Sequence, residues 1–470
     1  MLHYVCISKG GSLMEGIEKF FKLKEKGTDV RTEVVAGITT FMTMAYILAV
    51  NPSILGTTGM DSGAIFTATA LASAIASFAM AFLANLPFVL SAGMGLNAYF
   101  AYTVVAGMGY SWGVALAAVF CEGVIFIILS LTNVREAIFN SIPQTLKYGV
   151  SVGIGLFICF IGLQNAHICV DSATLVTIFS FSGSIKNGTF NSEGITVVLA
   201  LLGILITGYL VIKNVKGNIL LGIIITWVLG ILCQLVGLYV PDPANGFYSL
   251  IPSGVISAPA SVGPTFMKMD FSIMASNPLN FFSVLFAFLF VDIFDTLGTL
   301  IGCASKADML DEKGELPEIK GALLADSIGT VVGAVLGTST ITTFVESSSG
   351  IAEGGRSGLT AIVSGIFFLL ALFFSPIFLA IPSFATAPAL VIVGFLMIQQ
   401  VVKVQWDDLL EAIPAYVAIF AMPFLYSISE GISLGIISYV ILHIAAGKAK
   451  SVTPLMYVLA VLFILKYILL

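Results

Sequence analysis

Charged residues are scarce in this chain: only 10% of its 470 residues are aspartate, glutamate, lysine or arginine. Soluble domains carry roughly 25% charged residues, so the composition excludes an ordinary soluble domain. Hydrophobic residues instead make up 58%, and the mean hydropathy is +1.05. Apolar segments of about 17 to 25 residues recur from residue 33 to the C-terminus, the length that a helix needs to cross a membrane core of roughly 30 Å. The sequence therefore predicts an all-α polytopic membrane protein.

Motifs of several other protein classes are missing. The six cysteines are scattered without a CxxC pair, and no histidine stands at metal-ligand spacing from them, so we expect neither a metal site nor a cofactor. The three histidines form no His-Glu-x-x-His motif, which leaves an intramembrane enzyme built on paired acids as a weakly supported alternative. The net charge of -6 is spread over loops and helices, and no footprint of nucleic-acid binding is present.

Three carboxylates, those of Asp292, Asp295 and Glu346, lie inside apolar stretches that are long enough to cross a bilayer. A charge at the centre of a membrane costs roughly 2.5 to 3.5 kcal/mol even on lenient insertion scales, so we expect these acids to handle a substrate or a proton. Asp292 and Asp295 are three residues apart and share a helix face. Two carboxylates on one face repel each other unless one binds a proton, and burial raises their proton affinity further. The acids thus form a predicted proton-coupling site, with a structural hydrogen bond between helices as the alternative for the aspartate pair.

Two further acids, Glu122 and Asp326, also lie within predicted spans. Each is a single acid near small residues, so we expect each to form a hydrogen bond between helices rather than to bind a substrate. The Asn51-Pro52 step has a different expected role, because a residue that precedes proline is disfavoured in a helix. We therefore expect the first helix to end there.

Fourteen apolar helices are predicted, and the distribution of cationic residues supports that number. The expected bounds are 33–55, 62–85, 92–108, 111–131, 142–164, 194–213, 216–237, 278–303, 319–337, 341–356, 358–376, 386–404, 411–428 and 430–446. The apolar run 452–469 is either a fifteenth span or an interfacial tail. All 20 lysines and arginines except Lys186, Lys268 and Lys466 fall before the first helix or in loops on the same side. Since cytoplasmic loops are enriched in such residues, the N-terminus is predicted to be cytoplasmic.

The chain carries one pattern twice. In each half, an apolar helix is followed by a helix that opens with Gly-Ala and then by a segment rich in small and polar residues. These parts are 34–55, 63 onward and 91–99 in the first half, and 281–303, 321 onward and 337–350 in the second. Seven helices separate the halves, and an odd number inverts the second half relative to the first, as in secondary transporters. We therefore predict two inverted seven-helix repeats in which helices 3 and 10 are discontinuous.

The two predicted breaks mark the expected binding site, because non-helical backbone inside a membrane survives only where protein or a water-lined cavity satisfies it. Asn97 stands at the first break and Glu346 at the equivalent point of the second. Nearby glycines such as Gly93 and Gly95 have an alternative explanation, since small residues also let helices pack closely in membranes. Phe344 is a candidate to stack on a flat ligand, with packing in the core as the alternative for any one of 36 phenylalanines.

Four motifs of the sequence resemble the AzgA-like purine permeases. The motifs are residues 18–23 with 28–33, 36–46 and 51–52, then residues 93–100, residues 292–299 and residues 342–347. They occur in order, and the resemblance runs from about residue 15 to the end of the chain. It implies the fold of the uracil and xanthine permeases, in which a core domain slides past a gate domain.

The resemblance implies a division of the chain into domains. The core domain takes residues 33–131 and 278–376, the gate domain takes 142–237 and 386–446, residues 1–32 form a cytoplasmic N-terminal segment, and 452–469 form an apolar C-terminal tail. The family resemblance also implies proton symport of adenine, guanine or hypoxanthine across the plasma or inner membrane. The expected partners are thus a purine nucleobase, a proton and the lipid bilayer, and whether the protein forms a homodimer is left open.

The same resemblance assigns roles to individual residues. It implies that Gly95, Asn97, Asp292 and Glu346 bind the base, and Phe344 joins them as the candidate that stacks on it. Asp295 and Glu346 are the expected proton-coupling residues, although the motif alone does not decide which aspartate has which role. The alternative function is an anion transporter of the same fold, of the sulfate or bicarbonate kind, which three acids in the site disfavour.

Overall fold

The computed structural model describes residues 15–132, 142–172, 175–242, 246–307, 309–311 and 316–469. In these ranges, ten helices are long and apolar enough to cross a membrane, and three shorter apolar helices lie at 409–424, 430–445 and 454–465. The class expected from the composition, a helical polytopic membrane protein, is thus confirmed. Three of the cations used to orient the chain, Lys9, Arg135 and Lys313, lie outside the described residues.

Helices dominate the described residues, with four short strands among them. The helices are α1 Val30–Met44, α2 Ile47–Gly56, α3 Ser62–Leu83, α4 Met94–Ala98, α5 Trp112–Leu131, α6 Gln144–Asn165, α7 Phe181–Asn187, α8 Ile195–Ile212, α9 Asn218–Leu235, α10 Ser272–Ser276, α11 Pro278–Lys306, α12 Ile319–Leu336, α13 Ser347–Ala352, α14 Gly358–Ala371, α15 Ser375–Leu379, α16 Ser383–Ile398, α17 Leu409–Phe424, α18 Ile428–Ala445 and α19 Pro454–Leu469. The strands are β1 Leu90–Ala92, β2 Cys169–Ser172, β3 Leu175–Ile178 and β4 Ile341–Thr343. A π-helix at Tyr99–Gly107 continues α4, and another at Phe190–Gly194 leads into α8.

The helices pack in two groups. In the first group, α3 packs against α12 and α14, α5 packs against α11 and α12, and α1 packs against α14. In the second group, α6 packs against α16 and α17, α17 packs against α18, and α8 packs against α9 and α16. A Cβ atom at Gly394 in α16 would lie only 2.5 Å from the carbonyl oxygen of Gly155 in α6. Glycine therefore permits the close contact between these two helices.

The first apolar segment is interrupted by a turn at residues 45–46 and does not end at the Asn51-Pro52 step. α1 ends at Met44, two residues form a turn, and α2 continues through Pro52. The expectation that Pro52 ends the helix is therefore wrong. A helix satisfies its own backbone groups, and the membrane core offers no water to replace them, so the chain stays helical past the proline. The turn that does occur places Tyr46 near both breaks, as described below.

Two strands from the two halves of the chain pair within the first helix group. β1 and β4 run antiparallel, with Ser91 opposite Thr342 in the middle. The hydroxyls of Ser73 and Ser91 lie 2.7 Å apart, and the Thr330 hydroxyl donates to the Ile341 carbonyl at 3.1 Å. Side chains of α3 and α12 thus provide polar partners for a strand pair that lies inside the helix bundle.

Glu33, in the first turn of α1, caps a helix that begins far along the chain. Its carboxylate accepts hydrogen bonds from the backbone N–H of Arg356 at 2.8 Å, from the backbone N–H of Ser357 at 3.1 Å, and from the Thr360 hydroxyl at 2.6 Å. The first N–H groups of a helix have no intrahelical partner. Glu33 supplies the missing acceptors for α14 and ties it to α1.

One ion pair joins the two helix groups. Lys216 lies two residues before α9, in the second group, and Glu353 follows directly after α13, which packs against α1 in the first. Their side chains form a salt bridge. The Lys216 side chain is 61% exposed, so this pair lies at the surface of the protein.

Candidate binding site

The candidate site forms where β1 and β4 end and short helices begin. β1 passes through Gly93 into α4, and β4 is followed by Phe344 and then by α13. Two backbone hydrogen bonds extend the strand pair, from the Gly93 N–H to the Thr340 carbonyl and from the Phe344 N–H to the Val89 carbonyl, both at 3.0 Å. Because the strands are antiparallel, α4 and α13 leave the pair at opposite ends. The two segments in which the sequence predicts breaks are therefore joined to each other by backbone hydrogen bonds.

Asn97 lies in α4 and is fully buried. Its side-chain oxygen accepts a hydrogen bond from the hydroxyl of Ser339, which precedes β4. Its side-chain nitrogen has no hydrogen-bond partner among the described residues. An asparagine amide offers two N–H donors and one carbonyl acceptor. Asn97 thus has its acceptor occupied and its donors available to a ligand.

Glu346 stands directly before α13, and its carboxylate is held by a tyrosine from the other half of the chain. The Tyr46 hydroxyl donates to Glu346 Oε1 at 2.6 Å and also lies 3.5 Å from the Met94 sulfur. Tyr46 is 1% exposed, and it connects the turn after α1 to both short helices. Sequence reasoning did not select Tyr46 as a site residue. Its one signal was its place in a motif that resembles the purine permeases.

Asp292 and Asp295 share one face of α11 but contact different elements. Asp295 accepts a hydrogen bond from the Thr342 hydroxyl of β4 at 3.3 Å and is partly exposed. Asp292 is fully buried and accepts a hydrogen bond from the Thr296 hydroxyl at 2.8 Å. The same hydroxyl oxygen lies 2.8 Å from a carboxyl oxygen of Asp326 in α12. Asp295 is therefore attached to the strand pair, whereas Asp292 takes part in a contact between α11 and α12.

The Thr296 hydroxyl lies between two acids of neighbouring helices, Asp292 and Asp326. A threonine hydroxyl carries a single hydrogen and donates it to one acceptor. Oxygens of both acids lie 2.8 Å from this hydroxyl oxygen, and the threonine thereby connects α11 to α12. The hydrogen bond between helices that we expected of Asp326 is present, and it includes a second aspartate.

Gly95 and Phe344, two further expected site residues, occupy packed positions. A Cβ atom at Gly95 would lie 3.0 Å from a methyl carbon of Ile154 in α6, so glycine lets α4 approach the second helix group. Phe344 is 6% exposed and belongs to the hydrophobic core. The structure thus places both residues at the same strand pair as Asn97, with the Phe344 ring buried.

A cavity of about 560 Å³ lies at the end of α6, lined by Asn165, His167, Phe247 and Tyr248 among others. Asn165 also reaches the segment that carries Asn97. Its amide nitrogen lies 3.0 Å from the hydroxyl of Tyr102, which belongs to the π-helix that continues α4. This contact joins the wall of the cavity to the segment after the first break.

The described residues do not show the geometry of a metal centre or of a hydrolase site. No cluster of three or more histidine, cysteine, aspartate or glutamate residues in these ranges is arranged to hold a metal ion. Two Gly-x-Ser-x-Gly pentapeptides, at 149–153 and 431–435, lie inside α6 and α18, whereas the nucleophile of such hydrolases stands on a strand-to-helix turn. A Cβ atom at Gly153 would lie 2.6 Å from the Met422 sulfur of α17, which indicates a packing role.

Interrupted segments that meet at buried polar side chains, inside a bundle of long apolar helices, define a membrane protein of the transporter class. The chain belongs to the Permease family, since the sequence model named Xan_ur_permease matches residues 31–434.

Relatives of known name cover nearly the whole chain. The putative permease MJ0326 of Methanocaldococcus jannaschii is 50% identical over 97% of this chain and 99% of its own length. Adenine permease AdeP of Escherichia coli is 42% identical over 96% of each chain. Guanine/hypoxanthine permease PbuG of Bacillus subtilis is 44% identical over 96% of this chain and 99% of its own length. The resemblance to the purine permeases that the four motifs indicated is therefore confirmed.

A solved structure shares the fold. The transmembrane domain of the cyanobacterial bicarbonate transporter BicA matches with a TM-score of 0.60 over 86% of this chain and 97% of that domain, at 15% sequence identity. At this identity the likeness concerns the fold alone.

Proposed function

We propose that this protein imports purine nucleobases by proton symport. The observation that carries the proposal is that three polar side chains are held around one strand pair. Ser339 and Thr342, before and in β4, bond Asn97 and Asp295, and Tyr46 bonds Glu346. Relatives named adenine permease and guanine/hypoxanthine permease, at 42% and 44% identity, support the substrate class. The alternative, an anion transporter, rests on a fold shared at 15% identity, and buried carboxylates disfavour an anionic substrate.

The chemistry of a purine base suits these side chains. A purine is flat and mostly uncharged, and its edges carry N–H donors beside ring-nitrogen or carbonyl acceptors. Glu346 and one of the aspartates accept from the N–H groups, while the free N–H groups of Asn97 donate to an acceptor on the base. A ligand that lacked either kind of edge would leave a buried polar group unpaired, which costs roughly 1 to 3 kcal/mol. The pairing of donor and acceptor thus supports selection of nucleobases.

Protonation of Asp295 and Glu346 supports coupling to a proton. Among the described residues, no lysine or arginine forms a salt bridge with Asp295 or Glu346. A carboxylate without a cation in a membrane is stabilised by binding a proton. A neutral base gains nothing from the membrane potential, whereas a proton carried with it gains roughly 2.3 kcal/mol per 100 mV. In this mechanism, Asp295 and Glu346 exchange the proton, and Asp292 contacts the base from the same helix face.

The expected arrangement of spans and domains is part of the proposal. The ten long helices, the two segments that start with β1 and β4, and the helices α17 and α18 make up fourteen membrane crossings in two inverted repeats. The first helix group corresponds to the core domain and the second to the gate domain. The core carries the base past the gate, in a plasma or inner membrane with the N-terminus in the cytoplasm. A homodimer stays a prediction.

Uptake of radiolabelled hypoxanthine by cells that lack their own purine transporters tests this function. We expect saturable uptake that unlabelled adenine or guanine competes with, and that a protonophore abolishes. The same cells given labelled sulfate should show no uptake above that of cells without the protein. Sulfate uptake would support the anion transporter, and purine uptake that ignores the protonophore would exclude proton symport while keeping the substrate.

A further inference from the structure

Three consecutive residues before β4, Thr-Ser-Thr at 338–340, each bond a different element of the first half of the chain. In order, their side chains bond the amide of Asn51 in α2 at 2.8 Å, the amide of Asn97 in α4, and the carboxyl group of Glu122 in α5 at 2.8 Å. Asn97 is a proposed binding residue, and Asn51 is a neutral amide. Glu122 is the ionisable member of this set, and the proposed function provides no role for it.

Glu122 is an acid in the middle of an apolar helix, and it is fully buried. Its neighbour Gly123 allows α5 to lie very close to α12, because a Cβ atom there would be 2.7 Å from a methyl carbon and 2.9 Å from the backbone nitrogen of Val331. This close contact brings the Glu122 carboxyl group to the backbone that leads into β4. An ionisable group at such a position is costly in a membrane, so a role for it has to be sought.

A short chain of hydrogen bonds leads from Glu122 to the binding residue Asn97. Glu122 accepts from the Thr340 hydroxyl, and the Thr340 carbonyl accepts from the Gly93 N–H at 3.0 Å. The Gly93 carbonyl in turn accepts from the Asn97 N–H at 2.8 Å. Any shift of Thr340 therefore moves the start of α4 and the amide that it carries.

We propose that Glu122 is a positioning residue of the binding site: by holding Thr340, it fixes the start of α4 and the orientation of Asn97. This inference rests on the proposed function, because it names the residue that sets the geometry of the proposed hydrogen-bond donor. Its carboxyl group contributes an acceptor for the threonine hydroxyl and carries no transported proton. A glutamine amide oxygen can accept the same hydrogen bond, whereas leucine fills the space without an acceptor.

The experiment measures the KM and maximal rate of hypoxanthine uptake for Glu122→Gln, Glu122→Leu, Thr340→Val and the Glu122→Leu/Thr340→Val double variant. We expect Glu122→Gln to stay within about twofold of the unchanged protein, and each of the other single variants to raise KM about tenfold, as expected when a buried hydrogen bond loses one partner. The double variant should be no worse than either single one, because both remove the same contact. Ser130→Ala is the matched control: Ser130 lies on the same helix, α5, and its hydroxyl faces that of Ser327 in α12 at 3.5 Å.

Membrane levels of every variant are measured alongside, so that Thr340→Val carries the test if Glu122→Leu fails to fold. A tenfold loss in Glu122→Gln would overturn the inference in favour of a titrating role for the acid. Additive losses in the double variant, or an unchanged KM in both single ones, would also reject it. Absence of saturable uptake by the unchanged protein would reject the proposed function and this inference with it.

Discussion

The two breaks follow the same plan but present opposite hydrogen-bonding groups. At the first, the fully buried Asn97 has free N–H donors, while at the second the partly exposed Glu346 has carboxylate acceptors. Each is held by a residue from the other half, since Ser339 bonds Asn97 and Tyr46 bonds Glu346. Each half of the chain therefore orients the polar side chain at the break of the other half. Neither half on its own would contain a complete donor and acceptor set.

Replacing the acceptor of the second break is the strongest way to test this comparison. Glu346→Gln replaces one carboxylate oxygen by an NH2 group at a place where a purine also presents N–H, while the remaining amide oxygen can still accept from Tyr46. We expect hypoxanthine uptake to fall on the order of a hundredfold, because the base loses an acceptor and the position can no longer exchange a proton. Uptake is measured at equal membrane levels. Glu18→Gln, at a surface salt bridge with Lys24 before the first helix, is the control and should keep near-normal uptake. Normal uptake by Glu346→Gln would remove this residue from the site.

The two aspartates of α11 sharpen the comparison between base binding and proton coupling. Asp295→Asn should lower uptake about tenfold and make the remainder insensitive to a protonophore, since the group that exchanges the proton is gone. Asp292→Asn should raise KM and leave that sensitivity intact. If Asp292→Asn instead removes the sensitivity to the protonophore and Asp295→Asn raises KM, Asp295 binds the base and Asp292 exchanges the proton. The contact of Asp292 with Thr296 and Asp326 is compatible with that assignment. Unchanged uptake by both variants would place the pair outside the mechanism.

Replacing the donor of the first break is expected to act on affinity. Asn97→Leu keeps a similar volume but has no N–H groups, and it also leaves the Ser339 hydroxyl without its acceptor. We expect KM for hypoxanthine to rise about tenfold with a smaller change in maximal rate. Kinetics of uptake over a range of hypoxanthine concentrations provide the measurement. A variant with unaltered KM would show that the donors of Asn97 do not meet the base.

The smallest effect is expected from the tyrosine that holds the acceptor. Tyr46→Phe keeps the ring in place but loses the hydrogen bond of 2.6 Å to Glu346. We expect about a fivefold fall in uptake, in line with the net contribution of roughly 1 kcal/mol from one hydrogen bond. Tyr239→Phe, which loses a hydrogen bond of 2.7 Å to the Tyr248 carbonyl elsewhere in the protein, is the matched control. Equal effects of the two would mean that Tyr46 acts on stability alone.

The helical membrane class and the location of the two breaks could be predicted from the sequence because they depend on local properties. Apolar length defines a span, and small polar residues around Asn97 and Glu346 cannot continue a regular apolar helix without help from neighbours. The Asn51-Pro52 prediction failed for a related reason. The residue before a proline disfavours a helix, but the need to satisfy backbone groups without water outweighs this preference. The helix is interrupted by the turn at Tyr46 instead.

The partners of the site residues could not be predicted, because they come from distant parts of the chain. Tyr46 lies 300 residues from Glu346, and Ser339 lies 242 residues from Asn97. No spacing rule connects such positions, and hydroxyl residues are too common in this chain to be selected individually. The different surroundings of Asp292 and Asp295 were hidden for the same reason, since the aspartates share a helix face and are distinguished only by what packs against it.

The salt bridge between Lys216 and Glu353 has a consequence for the kinetics of the protein. An exposed ion pair contributes roughly 0 to 1 kcal/mol and is weakened by dissolved salt. Because it links the two helix groups, the sliding of core past gate that we propose would have to separate the charges. The speed of that step should therefore rise with ionic strength on the side of the membrane where the pair lies, and Glu353→Gln should abolish the dependence.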